Sequence, residues 1–400
     1  MPNIVIAGGG FAGVWAAASA VRLLSDRNAV ATVTLVSAGD DLVIRPRLYE
    51  SQPEGKRISL DRLLGPLGVR RIAATVSGID TNRRQIAVVR RDGDSFELGY
   101  DHLVLATGSR LVRPQVIGER YLFNVDTMSS AAALESHLLR LPQRRPAAGR
   151  FTAVVVGAGF TGIEVATELV GRLRRVAGDP REVSVVLVDR ASVVGPELGE
   201  GPRPYILKAL AELSIEVCLA VTVDEVDADG VVLSDGTRLT AHTVVWTAGL
   251  CASPLTATIP SRRDPLGRLI VDECLRVPGV PGVFAAGDTA APVSSDGETV
   301  MQSCQHAMPQ GRYAGHNAVA DLLGLPGVPF ATDPYVTCLD LGESGAVFTS
   351  GRHRAVQLAG EQAKTLKRKI TSVRIYPPLD DPAALLAQSD PHHARHPAQT

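Results

Sequence analysis

Aromatic residues are scarce, at 4% of the chain. That is too few for the stacking platforms that grip single-stranded nucleic acid. An excess of one charge is also missing. The formal net charge is −1, so no global field draws in nucleic acid or an anionic membrane. No apolar run reaches the roughly 18 residues that would suggest a bilayer-spanning helix, so no stable membrane insertion is expected. The start "MPNIVIAGGG" enters a strand almost at once and leaves no basic region or cleavage site ahead of it. The cytoplasm is therefore the expected compartment. The five cysteines (Cys218, Cys251, Cys274, Cys304 and Cys338) are scattered, with no CxxC or CxxxxC pair. This excludes a CxxC zinc site and a close-spaced redox dithiol, and no metal site is expected. The thiols read as buried and free.

Apolar residues make up 45% of the 400 positions, enough for real cores in two or three domains. "NIVIAG" is a continuous apolar run, as in a strand covered on both faces of a parallel sheet. A helical pattern, "FAGVWAAASAVRLL", and a second strand, "ATVTLVS", complete a β-α-β unit. Short strands such as "RQIAVV" and "FELGY" follow, then "HLVLATGS". The stretch "LPQRRPAAG" reads as a linker. After it the cycle restarts with "FTAVVVGAG", "FTGIEVATELVGRLRRV" and "EVSVVLVD". "GVFAAGDTA" at 282–290 finds no partner strand in this second unit, so the second unit sits inside the first. A helix is expected from "MPQGRYAGHNAVADLLG", with Pro309 in its first turn. "YVTCLDLGESGAVFTSG" reads as a hairpin, and "GEQAKTLKRKI" as a helix. The His- and Pro-rich tail from Pro382 reads as disordered.

The phrase "GGGFAG" at 8–13 and its echo "GAGFTG" at 157–162 each follow a strand and open a helix. That is the setting in which G-x-G-x-x-G carries weight. Gly8 and Gly157 allow the tight turn, and Gly10 and Gly159 let backbone N–H groups approach a pyrophosphate. Gly13 and Gly162 let helix and strand pack closely. The helix N-terminus adds unpaired donors and a partial positive charge. Between the glycines lie Phe11, Ala12, Phe160 and Thr161. A carboxylate at the end of the next strand grips ribose hydroxyls. In the second unit this is Asp189, which favours NADH over NADPH, although Arg190 beside it keeps NADPH open. In the first unit the position is Ser37, with Asp40 or Asp41 as substitutes.

The motifs "IVIAGGGFAG", "LVLATGS", "VVVGAGFTGIEVATEL", "VVWTAG" and "GVFAAGDTA" occur in the order of a known superfamily. The chain resembles the two-dinucleotide-binding-domain flavoproteins, in particular type II NADH:quinone oxidoreductases and apoptosis-inducing-factor-like oxidoreductases. The resemblance spans residues 3–325 and implies an α/β fold. Two nested Rossmann-like three-layer dinucleotide-binding domains, for FAD and NAD(P), are followed by a small C-terminal hairpin-helix segment. The implied parts are a FAD domain over 1–115 and 259–325, and an NAD(P) domain over 116–258. A C-terminal α+β segment covers 326–380, ahead of a tail at 381–400. FAD would lie on the first glycine turn and NADH or NADPH on the second, with Thr107, Gly108, Gly249, Gly287 and Asp288 at the cofactors. Hydride would pass between two stacked rings.

The resemblance also places Glu164 near the nicotinamide. Gln305 fits the first glutamine of the family's A-Q-x-x-x-Q segment at the quinone site. The second glutamine position holds Pro309, with Gln310 one residue later. His306 is a candidate proton donor to an acceptor, or a packed histidine. "RPRLYE" at 45–50 resembles a family segment lining the flavin face, so Pro46 and Arg45 are expected there. Arg45 and Arg47 bind an acidic substrate or a FAD phosphate, or lie at the surface. The absence of cysteine before Cys218 removes thiol chemistry at the family's usual positions. The basic stretch "KTLKRKI" reads as a solvated helix face. The expected partner is a small electron acceptor, quinone-like or a biosynthetic intermediate, and a homodimer is left open. The alternatives are a flavin oxidase or monooxygenase using O2, an NADH-binding flavoprotein acting through a partner, and a ferredoxin or rubredoxin reductase.

Overall fold

The computed structural model describes residues 1–294, 297–332 and 335–393. Its largest sheet has seven strands. Five are parallel and run in the order Val283–Ala285, His102–Leu105, Asn3–Ala7, Thr32–Ser37, Arg70–Asp80. The last of these continues into an antiparallel meander through Gln85–Arg90 and Ser95–Gly99. The central strand buries Ile4, Val5, Ile6 and Ala7 completely, as expected of a parallel strand inside a covered sheet. The helix Phe11–Asp26 packs against it, and its small alanines lie against the helix Cys304–Leu322. Gly311 and Gly315 permit the crossing: a Cβ on either would come 2.2 or 2.1 Å from the carbonyl oxygen of Ala12 or Ala16. The two backbones therefore touch, which fixes the second helix behind the first glycine turn.

A separate four-stranded parallel sheet is ordered Ile215–Leu219, Ser184–Asp189, Thr152–Val156, Thr243–Trp246. The helix Phe160–Ala177 packs on it through Ile163, Ala166, Leu169 and Leu173. Val283–Ala285 lies after this sheet in the chain yet pairs in the first sheet, so one unit is inserted in the other. The passages between them, Ser109–Leu111 and Leu250–Ala252, pair with each other as an antiparallel ribbon.

The C-terminal hairpin gains a third strand. Val336–Asp340, Ala346–Ser350 and Ala355–Ala359 form an antiparallel sheet, followed by the helix Gly360–Lys369 and a π-turn over Ile370–Arg374.

Two local expectations are corrected. The helix carrying Pro309 starts at Cys304, where Ser303 caps it by accepting the His306 N–H. Pro309 thus falls in the second turn, where it removes one backbone donor. The tail from Pro382 contains a helix, Pro382–Gln388, started by Asp381 accepting the Ala384 N–H at 2.9 Å. Leu385 is buried there, and Asp390 pairs with Arg22 at 3.1 Å. Polar composition hid the short apolar patch "AALLA", which the first helix covers. Residues 394–400 of that tail lie outside the described residues.

Candidate active site

One cleft of about 2360 Å³ opens between the two units and is roofed by the C-terminal sheet and the segment after it. An ordinary ligand pocket holds roughly 300–1,000 Å³, so this one has room for more than one large ligand. Both glycine turns open onto it. In the first, Gly8 stands at φ +118°, and a Cβ there would lie 2.2 Å from the Ala106 carbonyl oxygen. A Cβ on Gly13 would lie 1.8 Å from the Gly8 oxygen, so Gly13 serves helix-to-strand contact behind the cleft wall. The second turn repeats this geometry, with Gly157 at φ +110° and a Cβ on Gly162 falling 1.6 Å from the Gly157 oxygen.

The helix starts differ in one respect. The first, at Phe11, has no capping side chain. At the second, Glu197 Oε1 accepts the Phe160 N–H at 3.1 Å. Beside the first turn, Thr107 Oγ1 and Trp15 Nε1 are buried without partners among the described residues, and both residues line the cleft. Orphaned polar atoms around an uncapped helix N-terminus, with no Cβ in the way, suit a phosphate-bearing dinucleotide.

The strand-end residues sort themselves. Ser37, Gly39 and Asp41 line the cleft. Asp40 turns outward instead, pairing with Arg71 at 3.0 Å and Arg91 at 2.8 Å. Of the two substitutes for the missing first-unit acid, Asp41 is the one at the cleft. Asp189 also lines it, and its carboxylate accepts the N–H of Ala158 at 2.5 Å and of Ala191 at 2.7 Å. It therefore holds the second glycine turn in shape.

Arg45 and Asp288 meet across the cleft floor. Arg45 donates to Ser109 Oγ at 2.8 Å and pairs with Asp126, while Asp288 lies 3.7 Å away. Ser109 donates to Asp288 at 2.6 Å. Arg47 faces elsewhere, forming a two-pronged pair with Glu50 at 2.8 and 2.7 Å. Pro46, Gly108, Gly249 and Gly287 line the cleft with Phe11, Ala12, Phe160 and Thr161.

Glu164 lies on the cleft wall but is only 4% exposed. Its Oε1 takes a hydrogen bond from Lys367 Nζ at 2.7 Å and from the Asp340 N–H at 3.1 Å. Burial pushes its carboxyl up to about 7, opposed by the Lys367 ammonium. Lys367 also donates to the Cys338 carbonyl at 2.9 Å. The neighbouring Tyr49 phenol donates to Asp340 at 3.0 Å, and burial first, then the Glu164 and Asp340 charges, push it well above its usual range. The stretch "KTLKRKI" is thus not wholly solvated. Lys364 pairs with Asp340 at 2.5 Å and Lys367 is buried, because the helix turns that face onto the carboxylates.

The segment opening the last large helix is divided. Gln305 lines the cleft, but His306 does not. The histidine stacks on Tyr335 with ring centroids 5.3 Å apart, and its Nδ1 lies 2.9 Å from the Met301 carbonyl. Its reading as a proton donor at the cleft is corrected to the packed alternative. Gln310 turns inward as well, where its Oε1 accepts the Gly287 N–H at 2.7 Å. It braces the turn that presents Asp288.

The sequence from residue 2 to 311 matches the family described as pyridine nucleotide-disulphide oxidoreductase. The chain belongs to that family. Its members carry FAD and a pyridine nucleotide, and the chain is an NAD(P)H-dependent oxidoreductase. It is 45% identical to an NADH dehydrogenase-like protein of Mycobacterium tuberculosis over 98% of each chain. It is 28% identical to a type II NADH:quinone oxidoreductase of the same organism, over 90% of this chain and 80% of that one. Among solved structures, the fold is similar to NDH2 from Plasmodium falciparum in complex with NADH. The TM-score there is 0.78 at 14% identity, over 94% of this chain and 95% of that one.

Sequence reasoning missed Lys367, Asp340, Tyr49 and Arg354, which the C-terminal segment and the 45–50 stretch bring to the cleft or against its wall. Tyr49 lies within the "RPRLYE" stretch expected at the flavin face, but no spacing pattern marks it or the other three, and the charge of "KTLKRKI" pointed Lys367 toward solvent.

Proposed function

We propose that the chain is a FAD-dependent NAD(P)H dehydrogenase that passes electrons to a small, quinone-type acceptor. The observation that supports this best is that two glycine turns built alike face one continuous cleft. Bound FAD supplies the redox chemistry, accepting hydride from the reduced pyridine nucleotide and delivering electrons onward. The protein contributes binding, alignment and field.

In this reading Gly8, Gly10 and the N–H groups from Phe11 onward hold the FAD pyrophosphate, with Thr107 supplying a hydroxyl. Ser37 and Asp41 face its adenosine ribose. Asp288, held by Ser109 and Arg45, meets the sugar-phosphate side. Gly157, Gly159 and Thr161 serve the pyridine nucleotide. Asp189 faces the ribose and disfavours a 2′-phosphate, which makes NADH the preferred donor. Glu164 orients the nicotinamide end or moves a proton at its Oε atoms, and Gln305 touches the acceptor.

A quinone-type acceptor is favoured over a disulfide. No cysteine precedes Cys218, and burial pushes the cleft-side Cys338 thiol up to about 12. A thiolate attack from that position is therefore unavailable. The test is anaerobic reduction by NADH followed by mixing with either menadione or air-saturated buffer. Fast recovery of the flavin colour with menadione and slow recovery in air is expected. Faster recovery in air would contradict the quinone reading and favour an oxidase.

A further inference from the structure

Arg354 has no place in the function described so far, yet it lines the same cleft. It closes the turn between the second and third C-terminal strands, with φ +52°, in the left-handed region that non-glycine residues rarely occupy. Its side chain is pressed inward, and the residue is only 7% exposed. The second unit makes room for it with two glycines. A Cβ on Gly199 would lie 3.2 Å from Arg354 Cγ, and a Cβ on Gly201 would lie 2.6 Å from the Arg354 carbonyl oxygen.

The guanidinium carbon lies 4.1 Å from the Tyr335 ring centroid, and His306 stacks on the same ring with centroids 5.3 Å apart. Nη2 approaches the Glu197 carbonyl at 3.5 Å and Met301 Sδ at 3.3 Å. Nη1 is buried and has no partner among the described residues. Among the described residues, none of its contacts is a carboxylate. A buried cation with no anion among those residues and with an idle donor is costly unless a ligand completes it. Its surroundings point the same way. Glu197, whose carbonyl it touches, caps the helix behind the pyridine-nucleotide turn, and Met301 leads into the Gln305 segment.

We propose that Arg354 is the anion-recognition residue of the cleft, its Nη1 donating to a negatively charged oxygen of a bound ligand. This rests on the reading of the cleft as a meeting place of nucleotide and acceptor. Two sources supply such an oxygen: a phosphate of the pyridine nucleotide, or an acidic group carried by the acceptor. The planar fork suits either, since it binds phosphate, carboxylate and sulfonate oxygens in the same way.

Arg354→Gln separates the sources when two quantities are measured on the flavin-loaded protein. The first is the Kd of ADP-ribose, a pyrophosphate probe without a nicotinamide, by titration. The second is the ratio of kcat/KM for 1,4-naphthoquinone-2-sulfonate to that for neutral menadione. If the phosphate is the ligand, the ADP-ribose Kd rises at least about tenfold and the acceptor ratio keeps its wild-type value. If the acceptor's acidic group is the ligand, the ratio falls at least about tenfold and the ADP-ribose Kd is unchanged. Neither quantity moving overturns the proposal. Should Arg354→Gln fail to retain flavin, Arg354→Lys replaces it, because lysine keeps the charge and loses the fork. The ADP-ribose arm needs no turnover. Failure of NADH to reduce the flavin would sink the proposed function and still leave this arm decisive.

Discussion

Glu164 and Lys367 are 203 positions apart in the chain and 2.7 Å apart in space. Burial raises the carboxyl to about 7 and the ammonium holds it in check, so the group titrates near neutrality. Because folding raises its proton affinity, its contribution to stability falls as pH rises from the unfolded carboxylate range through about 7. Below that midpoint Glu164 holds a proton that it can give; above it the proton is gone. If Glu164 relays a proton during turnover, the wild-type rate with a quinone falls above pH about 7. Glu164→Gln keeps the side-chain shape and removes the titration. Its rate is expected to be at least roughly tenfold lower and flat across that range. A steady-state pH profile checks this, and an unchanged inflection in the variant would reduce Glu164 to a purely structural role. Nothing in the sequence near Glu164 announces its partner. The family resemblance drew the eye to the acid, whereas the lysine lay in a stretch whose charge density argued for solvent.

At the scale of elements, the two strand–turn–helix units do the same job with the same backbone. In each, the third glycine abuts the carbonyl of the first, at 1.8 Å from a notional Cβ in the first unit and 1.6 Å in the second. Backbone cannot yield as a flexible side chain does, so alanine at either site forces helix and strand apart at a cost of roughly 1–3 kcal/mol or more. Gly162→Ala is expected to give a yellow protein whose NADH Kd is raised at least about tenfold. Gly13→Ala is expected to come out depleted of flavin. Absorbance after purification and an NADH titration distinguish the two, and loss of flavin from Gly162→Ala would contradict the assignment of the turns. These elements were legible because each motif carries its own local reason, an apolar strand, a tight turn and a helix start. The helix at Pro382–Gln388 was not. Its stability comes from covering by the Phe11–Asp26 helix rather than from a pattern of its own. Likewise, the inward turn of Gln310 onto the Gly287 N–H depends on where a distant loop passes.

On the scale of the whole molecule, nesting is what brings the turns together. The strand Val283–Ala285 returns to the first sheet after the second unit is complete, and the paired passages Ser109–Leu111 and Leu250–Ala252 tie the units at one edge. The missing partner for "GVFAAGDTA" made the nesting readable from sequence. The C-terminal roof was not readable in the same way. Its hairpin and helix were visible as elements, but their seat over the cleft, with Tyr335, Cys338, Arg354 and Lys367 facing it, follows from packing between segments far apart in the chain.

The central claim is that the two turns hold two dinucleotides whose reactive ends share that cleft. Anaerobic rapid mixing of the flavin-loaded protein with NADH tests it most directly. The account predicts prompt loss of the oxidised flavin band in the wild type and its persistence in Gly162→Ala at the same NADH concentration. Tight NADH binding by the wild type with the flavin left oxidised would contradict it.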